Sequence, residues 1–246
     1  MAIKKRPISP RQKMINLMYV VLMAMLALNV SNEVLNGFSI VEESLNRTTN
    51  NSSKENNAIY EAFDTQMKAN PQKTKAWYDK AQQVKQMSDS LFNYAANLKL
   101  AIVKEADGED GDINNLRNKE DQEPANHVML SPTSGQGQKL YDAINAFRER
   151  MLTMVTDEKQ KQIIASNLTT EVPKKVRTLG KNWQEYMFES MPAAAAVTLL
   201  SKLQSDVRYA EGEVLHTLVS NIDVKDIRVN MLDAFVIPSS KTIVRS

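Results

Sequence analysis

Residues 14–30 read MINLMYVVLMAMLALNV, an uncharged and almost wholly apolar run. Lys4, Lys5, Arg6, Arg11 and Lys13 precede it, and the first acid in the chain is Glu33. At about 1.5 Å per helical residue, some seventeen to twenty such residues suffice to cross a bilayer core. Cations before the run and acids after it predict a cytoplasmic N-terminus and an extracytoplasmic remainder. A cleaved secretory leader fits poorly. Cleavage wants small residues at the last and third-last positions, yet ending at Ala27 puts Met25 there and ending at Ser31 puts Asn29 there. The sequence therefore predicts an uncleaved anchor.

A heptad continues without a break from this run into the residues beyond it. One seam position holds Leu17, Ala24, Ser31, Phe38 and Leu45, and the other Val20, Ala27, Val34 and Val41. Small residues within lipid permit close backbone approach, and larger ones beyond it make a water-excluding seam. The pattern predicts self-dimerisation along one helix from about residue 10 to 45, although an amphipathic helix packed on its own domain would look similar. Arg11 lies at the cytoplasmic edge. It reads either as a snorkelling anchor or as the partner of an intramembrane carboxylate, and the residues by themselves favour the anchor. Asn16 and Tyr19, in the first two turns, could make polar contacts within the membrane or mark its interface.

Beyond residue 46, the polar stretch RTTNNSSKENN predicts a loop or helix break. Periodic apolar spacing predicts helices over 57–68, 73–105, 138–155, 157–167, 180–189 and 192–221. Residues 106–137, rich in Gly and polar clusters with Pro124 and Pro132 as breakers, read as a long surface excursion. From Asp226 the pattern changes, and Val229, Met231, Phe235 and Ile237 predict a strand. A lone strand is unstable in water, so it would open a further β domain. The expectation is an all-α protein: cytoplasmic residues 1–13, a transmembrane helix at 14–30, a periplasmic helical bundle at 31–225 and the start of a β domain at 226–246.

Composition removes several function classes. Thirty-one Lys and Arg balance 29 Asp and Glu, which argues against nucleic-acid binding. The absence of cysteine removes thiolate metal sites and cysteine nucleophiles. The acidic run at 107–112 fails the calcium-loop spacing, with Asp112 and Asn118 where Gly and Glu belong. His127, in an expected loop, and His216, beside apolar residues on an expected helix, read as structural. No constellation supports catalysis, a metal or a cofactor.

The run SPRQKMINLMYVVLMAMLALNVSNEVLNGF (9–38) resembles the N-terminus of the gliding-motility family GldM, called PorM in non-gliding relatives. So do KAWYDKAQQVKQMSDSL (75–91), NLKLAIVKEADG (97–108), FESMPAAAAVTLLSKLQSDVRYAEGEVL (188–215) and DAFVIPSS (233–240). The resemblance implies a subunit of the Bacteroidota type IX secretion and gliding machinery in the inner membrane. It implies a homodimer passing through a ring of about five copies of a GldL (PorL)-like multispan protein, driven by proton-motive force. Contacts with GldK and GldN (PorK and PorN) would lie in regions mostly beyond this chain. It also implies that Arg11 faces a glutamate of the ring, with Tyr19 as a second contact. A single-span periplasmic sensor or scaffold is the rival reading; such a sensor would usually carry a second span and a cytoplasmic signalling region.

Overall fold

The computed structural model describes residues 9–28, 32–133 and 135–220, and the described part is helical throughout. Helix α1 spans Pro10–Leu28 and α2 spans Asn32–Ala69. A one-residue turn at Asn70 leads into α3, Pro71–Asp107. Asn70 caps α3 by accepting a hydrogen bond from the Lys73 N–H at 3.4 Å, and Pro71 occupies the first turn, where its missing donor is not needed. Gly108, at φ +92°, ends α3 in a conformation that favours glycine. A short 3₁₀ turn at Ile113–Asn115 precedes α4, Glu123–Leu130. Then come α5 (Gln136–Met154), α6 (Glu158–Asn167), α7 (Lys174–Arg177), α8 (Trp183–Phe188) and α9 (Ala193–Ser220).

Helices α2, α3 and α9 form the main three-helix layer; α4 and α5 pack on α3 and α9, α6 on α5 and α9, and α8 on α4 and α5. The apolar stripe of α3 buries Ala81, Val84, Leu91, Ala95, Leu98 and Ile102 at the spacing expected from its sequence. On α9 the stripe is Leu200, Val207, Ala210, Val214 and Leu218, preceded by four buried alanines at 193–196 that let neighbouring backbones come close. These stripes, with Ile59 and Phe63 of α2 and Met129, Leu140, Phe147 and Met151 of α4 and α5, make one continuous core.

Two expectations are corrected. The stretch 47–57 is neither a loop nor a helix break: α2 runs unbroken through it. Several of its polar residues find partners in helical form, although the buried Thr49 hydroxyl finds none. The Thr48 hydroxyl donates to the Ser44 carbonyl at 3.0 Å, Arg47 pairs with Glu43, and Asn56 turns inward onto α9. Tertiary partners here override weak local propensity. The excursion at 106–137 is likewise not merely surface, since it contains α4 and buries Leu116, Pro124, Ala125 and Met129. Pro124 stands in the first turn of a helix instead of breaking one. The carbonyls of Asp121 and Lys119 accept from the N–H groups of Ala193 and Ala194 at 2.7 and 3.1 Å, so this segment caps α9.

The single helix expected from 10 to 45 is described as α1 and α2, with residues 29–31 outside the described part. The strand expected within 226–246, and the boundary at 225, also lie outside the described residues.

Candidate functional site

Helix α1 stands apart from the core. Its large apolar side chains from Met14 to Met23 are 39–70% exposed, and Arg11, Asn16 and Tyr19 are exposed as well. The side-chain bonds along its polar start are long and local, 3.3 Å from the Gln12 N–H to Ser9 Oγ and 3.4 Å from Gln12 Nε2 to Asn16 Oδ1. Among the described residues no helix is long and apolar enough to cross a membrane. The expected span at 14–30 runs past Leu28 into residues outside the described part, and Arg11 and Lys13 occupy the first turn of α1.

The seam residues divide into two groups. Leu17 and Val20 on α1, and Val34 and Val41 on α2, are exposed. Phe38 packs partly buried against the chain's own core, and its carbonyl accepts from the Thr198 hydroxyl at 3.3 Å. Leu45 is half-buried. Ser31 and the side chains of Ala24 and Ala27 lie outside the described part. Between Val34 and Val41, a Cβ added at Gly37 would meet nothing within 4 Å, so this face of α2 is open to close approach.

Two buried polar layers lock α2 to α3 and α9, and neither is visible from local sequence. In the first, Lys99 Nζ lies 3.2 Å from Glu42 Oε1, with both side chains nearly buried. It also donates to Gln204 Oε1 at 3.4 Å, while the Ser201 hydroxyl donates to Glu42 and Gln204 Nε2 donates to the Phe92 carbonyl. In the second, the Glu211 carboxylate accepts from the Tyr60 hydroxyl at 2.7 Å, Asn56 Nδ2 at 3.0 Å and Arg208 Nη1 at 2.8 Å. Arg208 Nη2 pairs with Asp89 at 2.8 Å, and its guanidinium lies over the Phe92 ring. Burial first, and then the neighbouring Glu211, push the Tyr60 phenol far above its ordinary range, so it remains a donor. Burial lowers the Arg208 pKa, but Glu211 and Asp89 outweigh it and hold the guanidinium charged. Such layers specify register, because removing one member leaves the others buried and uncompensated.

At the acidic turn the Asp107 carboxylate accepts from the backbone N–H groups of Arg117 and Asn118 at 2.7 and 2.9 Å. Burial pushes this carboxyl up, but these bonds and the Arg117 charge prevail and hold it below its usual value. The turn is closed by the chain itself. His127, expected in a loop, sits on α4 with Nδ1 2.8 Å from Glu105, and His216 is exposed on α9. Among the described residues no group of three or more His, Cys, Asp or Glu side chains could hold a metal ion. An apolar groove of about 460 Å³ lies between α5, α6, α8 and α9, edged by the Lys202–Asp206 pair; burial raises the Asp206 carboxyl against that lysine.

No curated protein matches the chain. The sequence model described as the GldM N-terminal domain matches residues 33–221, from the start of α2 through the end of α9. That match covers both polar layers and leaves α1 outside it. The chain therefore belongs to the GldM family of gliding-motility and type IX secretion components, which are structural or motor parts and not a known enzyme family.

Proposed function

We propose that this chain is the central, dimeric subunit of an inner-membrane motor that uses proton-motive force to power type IX secretion or gliding. The observation that carries the reading is the contrast between α1, whose apolar side chains find no cover in the described chain, and the tightly packed bundle beside it. A bare apolar helix needs lipid or other membrane helices around it. In this reading residues 1–13 are cytoplasmic, 14–30 span the membrane, 31–225 form the periplasmic bundle and 226–246 begin a β domain. Two copies pair along Leu17, Val20, Ala24, Ala27, Ser31, Val34 and Val41, with Phe38 and Leu45 bracing the same helix from inside each bundle.

Around the pair stands a ring of about five multispan GldL (PorL)-like subunits, and GldK and GldN (PorK and PorN)-like proteins lie farther out in the periplasm. Arg11 forms an ion pair with a ring glutamate that breaks and reforms as the glutamate gains and loses a proton. Asn16 and Tyr19 supply neighbouring polar contacts. A charge crossing about 100 mV of membrane potential releases roughly 2.3 kcal/mol, comparable to the roughly 2.5–3.5 kcal/mol for exposing one charge to lipid. Proton flow can therefore supply enough free energy to exchange one pairing for the next.

The test is Arg11→Ala in the intact machinery, followed by secretion or gliding assays and by co-purification with the ring protein. The expected outcome is loss of secretion or gliding with the complex still assembled. Full activity in that variant sinks the ion-pair role, and failure of the chain to co-purify with any multispan protein sinks the motor reading.

A further inference from the structure

A polar cleft of about 590 Å³ opens between α5 and residues 170–184, on the side of the bundle away from α2. At its edge stands Arg148, half-buried and fixed by neutral acceptors alone. Its Nη1 donates to the Leu168 carbonyl at 2.9 Å and to Thr170 Oγ1 at 3.4 Å, and its Nη2 donates to Asn145 Oδ1 at 2.6 Å. The Thr170 hydroxyl donates to the same Asn145 oxygen at 2.7 Å, which closes the set. A guanidinium has five N–H groups, so the Nε–H and one Nη2–H are left without a protein acceptor. No carboxylate among the described residues pairs with Arg148.

Arg208 shows the alternative. Its charge is matched by Asp89 and Glu211 within the core. Arg148 has a direction fixed as firmly, and no described carboxylate pairs with its charge.

The surroundings add to that charge. Arg177 lines the cleft with one long bond, 3.4 Å to the Val172 carbonyl, and Lys174 and Lys175 are exposed in the same short turn. Lys181, also in the lining, pairs with Glu189 outside it. The one acid of the lining is Glu171, exposed at the rim. Trp183 closes the base, but its ring packs against Tyr141 and Phe188 and is only 7% exposed. It offers an apolar edge and no free face, which disfavours a stacked sugar ring. A prefixed guanidinium with spare donors, flanking cations and an apolar edge suits a carboxylate carried on a chain with aliphatic neighbours.

We propose that the cleft between α5 and residues 170–184 binds an acidic peptide segment of a partner protein, with one carboxylate on Arg148 and further acids near Arg177 and Lys174. This goes beyond the motor reading and does not depend on it. The purified full chain in detergent micelles, carrying Trp77→Phe so that only Trp183 reports, is titrated with acetyl-Leu-Glu-Leu-Glu-Glu-amide. The expected result is a saturable change in Trp183 emission. Replacing the peptide's glutamates by glutamines, or Arg148 by Gln, weakens binding about tenfold or more. Arg177→Gln, at an exposed position that leaves the Asn145–Thr170 set intact, weakens it several-fold. Equal binding of the glutamine peptide, tighter saturation by a chito-oligosaccharide or by inorganic phosphate, or indifference to Arg177→Gln with folding intact overturns the proposal.

Discussion

Helix α1 and helix α2 are neighbours in sequence and opposites in construction. α1 is apolar nearly all round and buries none of its large side chains from Met14 to Met23. α2 is polar along much of its length, yet it is tied into the bundle through Glu42, Asn56 and Tyr60 as well as through Leu35, Ile59 and Phe63. Hydrophobicity alone would rank the two the wrong way for cohesion with the domain. Position in the fold follows from where partners stand, and α1 finds none among the described residues of the chain.

The comparison predicts a graded series of effects, measured by thermal or urea unfolding of the bundle. Glu211→Ala should have the largest effect, a loss of about 3–5 kcal/mol, because Arg208, Tyr60 and Asn56 are left buried without their acceptor. For a domain of this size that is a fall of roughly 10 °C in Tm; a change near zero would show that the layer does not hold the helices together. Gly212→Ala places a Cβ 2.8 Å from Asn56 Oδ1 and should cost about 1–3 kcal/mol, since Asn56 is tethered at both Arg208 and Glu211 and cannot yield freely.

A smaller effect belongs to the turn at Asp107. Its folded pKa lies below the unfolded value, so its stabilisation is complete above the ordinary carboxylate range and is lost as pH falls through the folded value. Hydrogen exchange at the Arg117 and Asn118 amides should therefore lose protection on acidification, and Asp107→Asn should remove the dependence. The smallest effect is on the bare helix: Leu17→Ala with Val20→Ala should leave bundle stability within about 0.5 kcal/mol while weakening self-association in lipid or detergent. A large loss of bundle stability there would erase the distinction between the two helices.

The sequence revealed most where burial follows a single stripe. The spacing of Val84, Leu91, Leu98 and Ile102, and of Leu200, Val207 and Val214, outlined α3 and α9 to within a few residues. It misled where partners come from far along the chain. Nothing near Asn56 announces Arg208 and Glu211, some 150 residues away, so a polar helix looked like a loop. Pro124 was ambiguous because proline both ends helices and begins them, and only the buried Ala125 and Met129 decide the matter. The heptad could not tell an internal neighbour from an external one, which is why Phe38 and Val41 share a pattern and differ in surroundings. Arg148 gave no local signal at all, since its significance is the acid that is missing beside it.

Glu42 and Asn56 are fourteen residues apart on one continuous helix, about 21 Å along its axis, and both are bonded to α9. A screw-like turn of α2 against α9 would have to tear both fastenings in the same instant. Any twist imposed on α2 would thus carry α9 round with it, as a shaft keyed at two points carries its hub.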